Sequence, residues 1–528
     1  MKVGAVQLAQ VAGDYDSNMA RALAGAEKLM RDGCRLVVLP EMFATGYLFG
    51  SAEEASTFAQ PVIGDTYERI HSLCERYAAV AVYGYLEHDP ESGTYHNAAA
   101  AVGPEGLMAR YRKVHPFVAD TTWAVDGNEL GPYFEIDGLV ATVAICADVE
   151  FPETAARRRH YDILCLPTAW VEEKAPSFVW LLRAKEAGCY LIAADLAGVE
   201  NGVSFSGGSC VISPDGELLA SIDAGDGVVS AEVDHAPRRR AASIPSSLQL
   251  SVQAFEPAEL AVRAPAAIPL QPDLRFDLAA LRMVHYDFTP EGLARVEELL
   301  ARRLGGPPIS ATLLVALPFA AGDTGGEVDS LVRAAKSIAR RLGYEEAILG
   351  QVLSSPAGEQ RLVASSAWPE ARRQAKAATL TGLRLEVLSG HDLDDWVPLR
   401  RAAVEGASVA LVSADDAGSR SPEPRDPSEI ALPPFGEEPQ MDTVNRARLR
   451  AGENNVALAI SVRGRATGLQ EAGVYGPDML AYPFYETIAD GVEWAGRLAF
   501  GPEAAPAPTE TLARRPYLRQ RKPWLYTG

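Results

Sequence analysis

Apolar residues recur along the chain in two alternating rhythms. Val3-Gly4-Ala5-Val6-Gln7-Leu8 and Arg35-Leu36-Val37-Val38-Leu39-Pro40 are short apolar runs that read as buried strands. Between them, residues 16–32 carry apolar positions at helical spacing, with Asp16 or Ser17 placed to cap the helix. The alternation continues with helix 65–78, strands 79–87, 95–102 and 139–146, helix 152–160, strand 162–167 and helix 177–187. Strands 189–195, 208–213 and 227–233 complete this half. Strands alternating with helices predict an α/β fold in which helices pack on sheets.

The rhythm breaks over 237–275, a stretch rich in Pro, Ala and Ser that reads as a linker. It then restarts with strand 281–286, helix 289–303 and Ala311-Thr312-Leu313-Leu314-Val315-Ala316-Leu317-Pro318, which repeats the earlier strand-Leu-Pro ending. Later landmarks recur at nearly one offset. Pro104-Glu105 matches Pro369-Glu370, Gly198 matches Gly464, Pro214-Asp215 matches Pro477-Asp478, and Asp226-Gly227-Val228 matches Asp490-Gly491-Val492. This predicts a tandem duplication of one domain of roughly 260 residues. The expected domains are 1–236, linker 237–275 and 276–528, with 418–440 an exposed loop in the second copy.

Composition narrows the function. The chain has 528 residues with 48% hydrophobic and 23% charged, enough apolar content for a sizeable core. The formal charge of −21 disfavours nucleic acid and anionic membranes as partners. No apolar run approaches the roughly 20 residues a membrane helix needs, and no leader pattern opens the sequence. The six cysteines, at 34, 74, 146, 165, 189 and 210, form no CxxC pair, and no HxxxH or HExxH occurs. A reducing cytoplasm is the expected compartment, and neither a metal nor a cofactor is expected.

Three residues could carry chemistry. Glu41 follows the second strand, Lys113 lies in Tyr111-Arg112-Lys113-Val114-His115, and Cys146 ends the strand from Ala141. α/β folds place their ligands at strand ends. A thiolate attacks a carbonyl or nitrile carbon, a carboxylate can take the thiol proton, and an ammonium can stabilise the oxyanion. Each residue taken alone reads as core filler or solvated surface.

Their surroundings lift them from that background. Leu39-Pro40-Glu41-Met42-Phe43-Ala44-Thr45-Gly46-Tyr47, the lysine segment and Ile145-Cys146-Ala147-Asp148-Val149-Glu150-Phe151-Pro152-Glu153 resemble the three motifs of the nitrilase (carbon–nitrogen hydrolase) superfamily. Pro167-Thr168-Ala169, Arg183-Ala184-Lys185-Glu186 and Phe205-Ser206-Gly207-Gly208-Ser209 follow in the family's order, and the resemblance spans 1–235. It implies an α-β-β-α sandwich with Glu41 as general base, Lys113 as oxyanion stabiliser and Cys146 as nucleophile. The Ala147 N–H would assist at the oxyanion, and Asp120 is the candidate accessory acid. The pattern is similar to aliphatic amidases of the 5-aminopentanamidase type, which usually carry Tyr where Ala147 stands. Tyr47, Phe49, His115, Phe117, Trp123 and Trp170 are candidates to line the pocket. The implied partner is a small amide. Nitrile or N-carbamoyl hydrolysis, acyl transfer and a non-catalytic scaffold are the alternatives.

The second copy departs from this pattern. Phe319 fills the glutamate slot, counting places the lysine slot at Ala378, and 385–398 occupies the cysteine region without a cysteine. Arg446-Ala447-Arg448 and Glu453-Asn454-Asn455 still resemble the family's helix motif. The sequence thus predicts two tandem sandwich domains, the second degenerate. The segment from Arg515 to Tyr526 resembles the tail with which single-domain members reach a partner subunit. It suggests an intramolecular pseudo-dimer, open to further homo-oligomerisation.

Overall fold

The computed structural model describes residues 1–117, 119–155, 161–171 and 175–235 of the first half. Of the second it describes 274–281, 290–304, 307–308, 311–317, 320–321, 327–355, 358–367, 377–380, 383–404, 407–415, 443–454, 456–463, 472–475, 487–491 and 493–500. Described residues up to 235 belong to one compact unit and those from 274 to another.

In the first unit, β1 (Lys2–Ala9), β2 (Leu36–Val38) and β3 (Val80–Asp89) run parallel, and β4 (Thr94–Gly103) and β5 (Gly106–Arg112) extend the sheet antiparallel. A second sheet joins β6 (Tyr133–Ile136), β7 (Leu139–Val143), β8 (Ile163–Thr168) and β9 (Tyr190–Glu200), with β7, β8 and β9 parallel. The sheets meet at one corner, where β1 pairs with β9 only at Leu8–Leu196 and Ala9–Ala197. β10 (Val203–Ser206) and β11 (Cys210–Ile212) pair with β9, β12 (Leu218–Ser221) with β11, and β13 (Gly227–Glu232) with β1.

Period-2 burial explains the layers. In β1, Val6 and Leu8 face α1 (Tyr15–Arg31) and α3 (Asp65–Tyr77), which cover the first sheet with Met19, Ala22, Leu29, Ile70 and Leu73. Their alternates Val3 and Ala5 are also fully buried, and β2 and β3 contact β8 of the other sheet. A strand buried on both faces needs an unbroken apolar run, as the Val-, Leu- and Ala-rich segments supply. α5 (Phe178–Ala187) packs on β9 and β11, outside the second sheet. The order helix, sheet, sheet, helix is the predicted α-β-β-α sandwich.

Several local expectations are corrected. Asp14, not Asp16 or Ser17, caps α1, its carboxylate accepting from the Ser17 N–H at 3.4 Å. β7 stops at Val143, and Cys146–Glu150 is a separate 3-10 turn. The short α2 is Ala52–Ser56, and α4 is Pro152–Ala155, with 156–160 outside the described residues. β5, β6, β10 and β12 went unpredicted because short, half-exposed edge strands lack a continuous apolar run.

The second unit has its own sheets. β14 (Leu274–Leu281), β15 (Thr312–Ala316) and β17 (Glu346–Ser355) are parallel, with β16 (Ala320–Ala321) and β18 (Gly358–Ser365) on β17 and β25 (Glu493–Phe500) antiparallel on β14. The other sheet runs β19 (Ala377–Leu380), β20 (Leu383–Ser389), β21 (Val409–Asp415), β22 (Ala457–Arg463), β23 (Ala472–Tyr475), β24 (Thr487–Gly491). Helices α6 (Pro290–Leu304), α7 (Glu327–Leu342), α8 (Val397–Val404) and α9 (Thr443–Asn454) complete it. β14 begins at Leu274, inside the expected linker and before the predicted strand 281–286; 282–289 lie outside the described residues. So do Phe319, Gly464, 418–440 and Arg515–Tyr526.

Candidate active site

Three strand ends build the site. β2 ends at Val38, but Leu39 still donates its N–H to Val82 O of β3 (2.8 Å) and Pro40 O still accepts from the Gly84 N–H (3.2 Å). The chain then turns sharply, with Met42 at φ 47°. This turn lies directly on Gly84 of β3, where a Cβ would stand 2.5 Å from the Glu41 Cα. Only glycine permits that approach.

Lys113 follows β5 immediately, and its N–H donates to Asn97 O of β4 at 2.8 Å. Its Nζ donates to Glu41 Oε1 at 2.8 Å and to Asp120 Oδ2 at 2.7 Å. Asn97 Nδ2 joins the same pair, 2.7 Å from Glu41 Oε1 and 3.0 Å from Asp120 Oδ1. The Phe117 N–H closes the cluster on Asp120 Oδ2 at 2.8 Å. Glu41, Lys113 and Asp120 are each at most 2% exposed. Asp120, placed by sequence only as the acid nearest the lysine, thus contacts the ammonium directly.

Cys146 opens the 3-10 turn after β7 at φ 42°, a left-handed conformation that side chains adopt at a cost. The Asp148 carboxylate holds the turn's start, accepting from the Ile145 N–H at 2.9 Å. Arg183 of α5 holds its end, donating from Nε to Val149 O (2.6 Å) and from Nη2 to Glu150 O (3.2 Å). The Ala147 N–H lies in the turn's first positions, where N–H groups have no partner within the helix.

The electrostatics follow from burial. Burial pushes the Glu41 carboxyl up, against the pull of Lys113. Burial and the Glu41 charge push the Cys146 thiol well up, while Lys113, the Thr168 hydroxyl and the Ala169 N–H work against them. For Lys113, burial opposes the charge, but Asp120 and Glu41 outweigh it and raise the ammonium well above its ordinary value. The resting site is therefore a neutral thiol beside a charged lysine held between carboxyl groups. Glu41 Oε2 is buried without a hydrogen-bond partner.

The pocket candidates divide. The Tyr47 ring lies 5.8 Å from Lys113 Nζ and edge-on to Phe205. Its loop is pinned by Glu200, which accepts from the Tyr47 N–H (3.0 Å) and the Leu48 N–H (2.9 Å). Trp170 follows Thr168 and Ala169 and packs edge-on to Trp180. Phe117 reaches the site through its backbone. Phe49 and Trp123 pack on each other in the core between the first sheet and its helices. His115 is fully buried, stacked on Phe151 at 4.0 Å with Nδ1 on Asp148 at 2.9 Å. Sequence reasoning did not assign Asn97, Tyr111, Asp148 or Arg183. Asn97 had one available signal, a lone amide beside the apolar run Ala98-Ala99-Ala100-Ala101-Val102. Among the described residues no group of three His, Cys, Asp or Glu could hold a metal, and no helix is long and apolar enough to cross a membrane.

The carbon–nitrogen hydrolase family profile matches residues 2–242. A nitrilase of Pyrococcus abyssi is 32% identical over 223 residues, covering 42% of this chain and 84% of the relative. An (R)-stereoselective amidase of Pseudomonas sp is 26% identical over 229 residues, covering 42% and 80%. Among solved structures, an amidase of Nesterenkonia AN1 from the nitrilase superfamily aligns at 23% identity and a TM-score of 0.40, covering 44% of this chain and 92% of that one.

Proposed function

The chain belongs to the carbon–nitrogen hydrolase family, and on that premise we propose that its first half hydrolyses a small linear amide through a Cys146 thioester. The observation that carries this reading is the two-sided Glu41 carboxylate. Oε1 is held by Lys113 and Asn97, while Oε2 is buried with no hydrogen-bond partner among the described residues, and the Glu41 charge bears on the Cys146 thiol. Glu41 takes the thiol proton on Oε2 as sulfur bonds to the carbonyl carbon. The Lys113 ammonium and the Ala147 N–H stabilise the oxyanion. Glu41 returns the proton to nitrogen as the C–N bond breaks and ammonia leaves. Water then attacks the thioester, giving its proton to Glu41, which passes it to the departing sulfur. A carboxyl raised by burial suits both directions of transfer near neutral pH.

The second half, on this reading, is a duplicate that has lost the chemistry. Its parallel β14, β15 and β17 and parallel β20, β21 and β22 repeat the order of β1, β2 and β3 and of β7, β8 and β9. Ammonia release from a panel of amides, nitriles and N-carbamoyl amines, wild type against Cys146→Ala, tests the proposal. Activity confined to amides and lost in the variant supports it. Activity on nitriles or carbamoyl compounds redirects it, and a folded wild type silent across the whole panel favours a scaffold.

A further inference from the structure

Two motifs of the site, the lysine segment and the cysteine turn, are distant in sequence yet share one buried carboxylate. Asp148 is completely buried and accepts four hydrogen bonds. Oδ2 takes the Ile145 N–H at 2.9 Å and the Tyr111 hydroxyl at 2.7 Å. Oδ1 takes the His115 N–H at 3.0 Å and His115 Nδ1 at 2.9 Å. An ionised carboxylate only accepts, so Nδ1 must carry the proton. Tyr111 and His115 bracket Lys113 in the chain, and Ile145 precedes the nucleophile.

We propose that Asp148 is a positioning residue that locks the Lys113 segment to the Cys146 turn and so sets the distance between oxyanion stabiliser and nucleophile. The proposal rests on the thiol-hydrolase reading above. The second half supplies an internal control. There, Asp392 caps the equivalent turn, accepting from the Ser389 N–H at 2.7 Å, and Gly390 stands where Cys146 does. Asp392 also accepts from the Ser389 hydroxyl at 3.1 Å and from Arg361 at 2.6 Å, the latter from a strand position that matches Ala99 of β4. The cap therefore belongs to the fold, while the bridge to Tyr111 and His115 accompanies the chemistry. A displacement of roughly an ångström between reacting groups can cost on the order of 100-fold in rate, so a shared clamp has a large lever.

The test uses the full chain and reads Cys146 alkylation by iodoacetamide against pH, with kcat and KM on a hydrolysed amide. Asn places a donor close to where His Nδ1 stands, and Ala does not. His115→Ala is expected to slow alkylation and lower kcat at least about tenfold with KM nearly unchanged, and His115→Asn to recover most of that loss. Both variants forfeit the stacking on Phe151, so their difference isolates the donor. If His115→Ala fails to fold, Tyr111→Phe removes one donor with little change in volume and should slow alkylation a few-fold. Equal rates in Ala and Asn variants, or a wild-type rate in folded His115→Ala, would overturn the proposal. Folded wild type that releases no ammonia from any amide would instead overturn the hydrolase reading itself.

Discussion

Both halves of the chain run a strand into a short turn capped by an aspartate, and both clamp that turn with an arginine from a following helix. In the first half these are Asp148 and Arg183, whose Nε reaches Val149 O at 2.6 Å and whose Nη1 pairs with Glu186. In the second they are Asp392 and Arg450, whose Nε reaches Leu393 O at 3.2 Å and whose Nη1 pairs with Glu453 at 2.7 Å. What differs is the chemistry mounted on this frame. β4 ends at Gly103 and β6 starts at Tyr133, but β18 ends at Ser365 and β19 at Ala377 follows too soon for a strand like β5 and a loop bearing Lys113 and Asp120. Ala378, the lysine slot by counting, falls in β19, which pairs with β20 as β6 pairs with β7. On the proposed duplication, the eleven positions between β18 and β19 leave no room for a counterpart of the lysine segment. Gly84, on which the Glu41 turn rests, corresponds by strand register to Val352. Both turns carry an aspartate and an arginine clamp, whereas the glycine on which the Glu41 turn rests has Val352 at the matching register position.

Breaking the proposed Glu41–Lys113–Cys146 triad should have the largest effect. Glu41→Gln keeps the shape but removes the base, and kcat should fall by about 10²–10⁴-fold in ammonia-release assays. Lys113→Met leaves Glu41 and Asp120 buried together without their cation. It should destabilise the first unit by about 3–5 kcal/mol in urea unfolding, and Asp120→Asn in the same chain should restore part of that. Gly84→Val imports the second half's residue. With its Cβ against Glu41 at 2.5 Å, it should cost about 1–3 kcal/mol and also lower activity, because the displaced group is the base.

The Asp148 clamp gives a pH signature. Burial pushes this carboxyl up, but hydrogen bonds from His115, Tyr111 and the Ile145 N–H outweigh it and hold it below its ordinary value. A depressed group stabilises the fold above its unfolded value, about 4, and that contribution is lost as pH falls through the folded one. Urea midpoints at pH 5 and pH 3 should therefore converge in Asp148→Asn relative to wild type, from a lower starting stability. The smallest effect sharpens the comparison from the other side. Gly390→Cys in a Cys146→Ala background should label with iodoacetamide no faster than an ordinary thiol, because the sequence has Phe319 and Ala378 in the glutamate and lysine slots.

Legibility followed the range of the interactions. α1, α3 and α5 and the parallel strands were readable because apolar period and buried face coincide along a few consecutive residues. Edge strands such as β5 and β12 were not, since their identity depends on a neighbour that only the fold supplies. Glu41, Lys113 and Cys146 stood out through their flanking residues, not through any property of the three alone. Asp120 could be placed near the lysine by proximity in sequence, but its contact with the ammonium could not.

The sequence by itself determined the α/β alternation and the family, because both are written in local order and residue type, whereas it set the restart of the pattern too late, since β14 begins at Leu274. Tertiary structure decided which partners those side chains meet. Asn97 serves the site because β4 passes beside the Glu41 turn, and His115 serves as a clamp rather than an open wall because its ring is sealed between Phe151 and Asp148. Gly84 is indispensable only once the Glu41 turn lies on it. Such roles depend on distances between residues far apart in the chain, and those distances exist only after the sheets have formed.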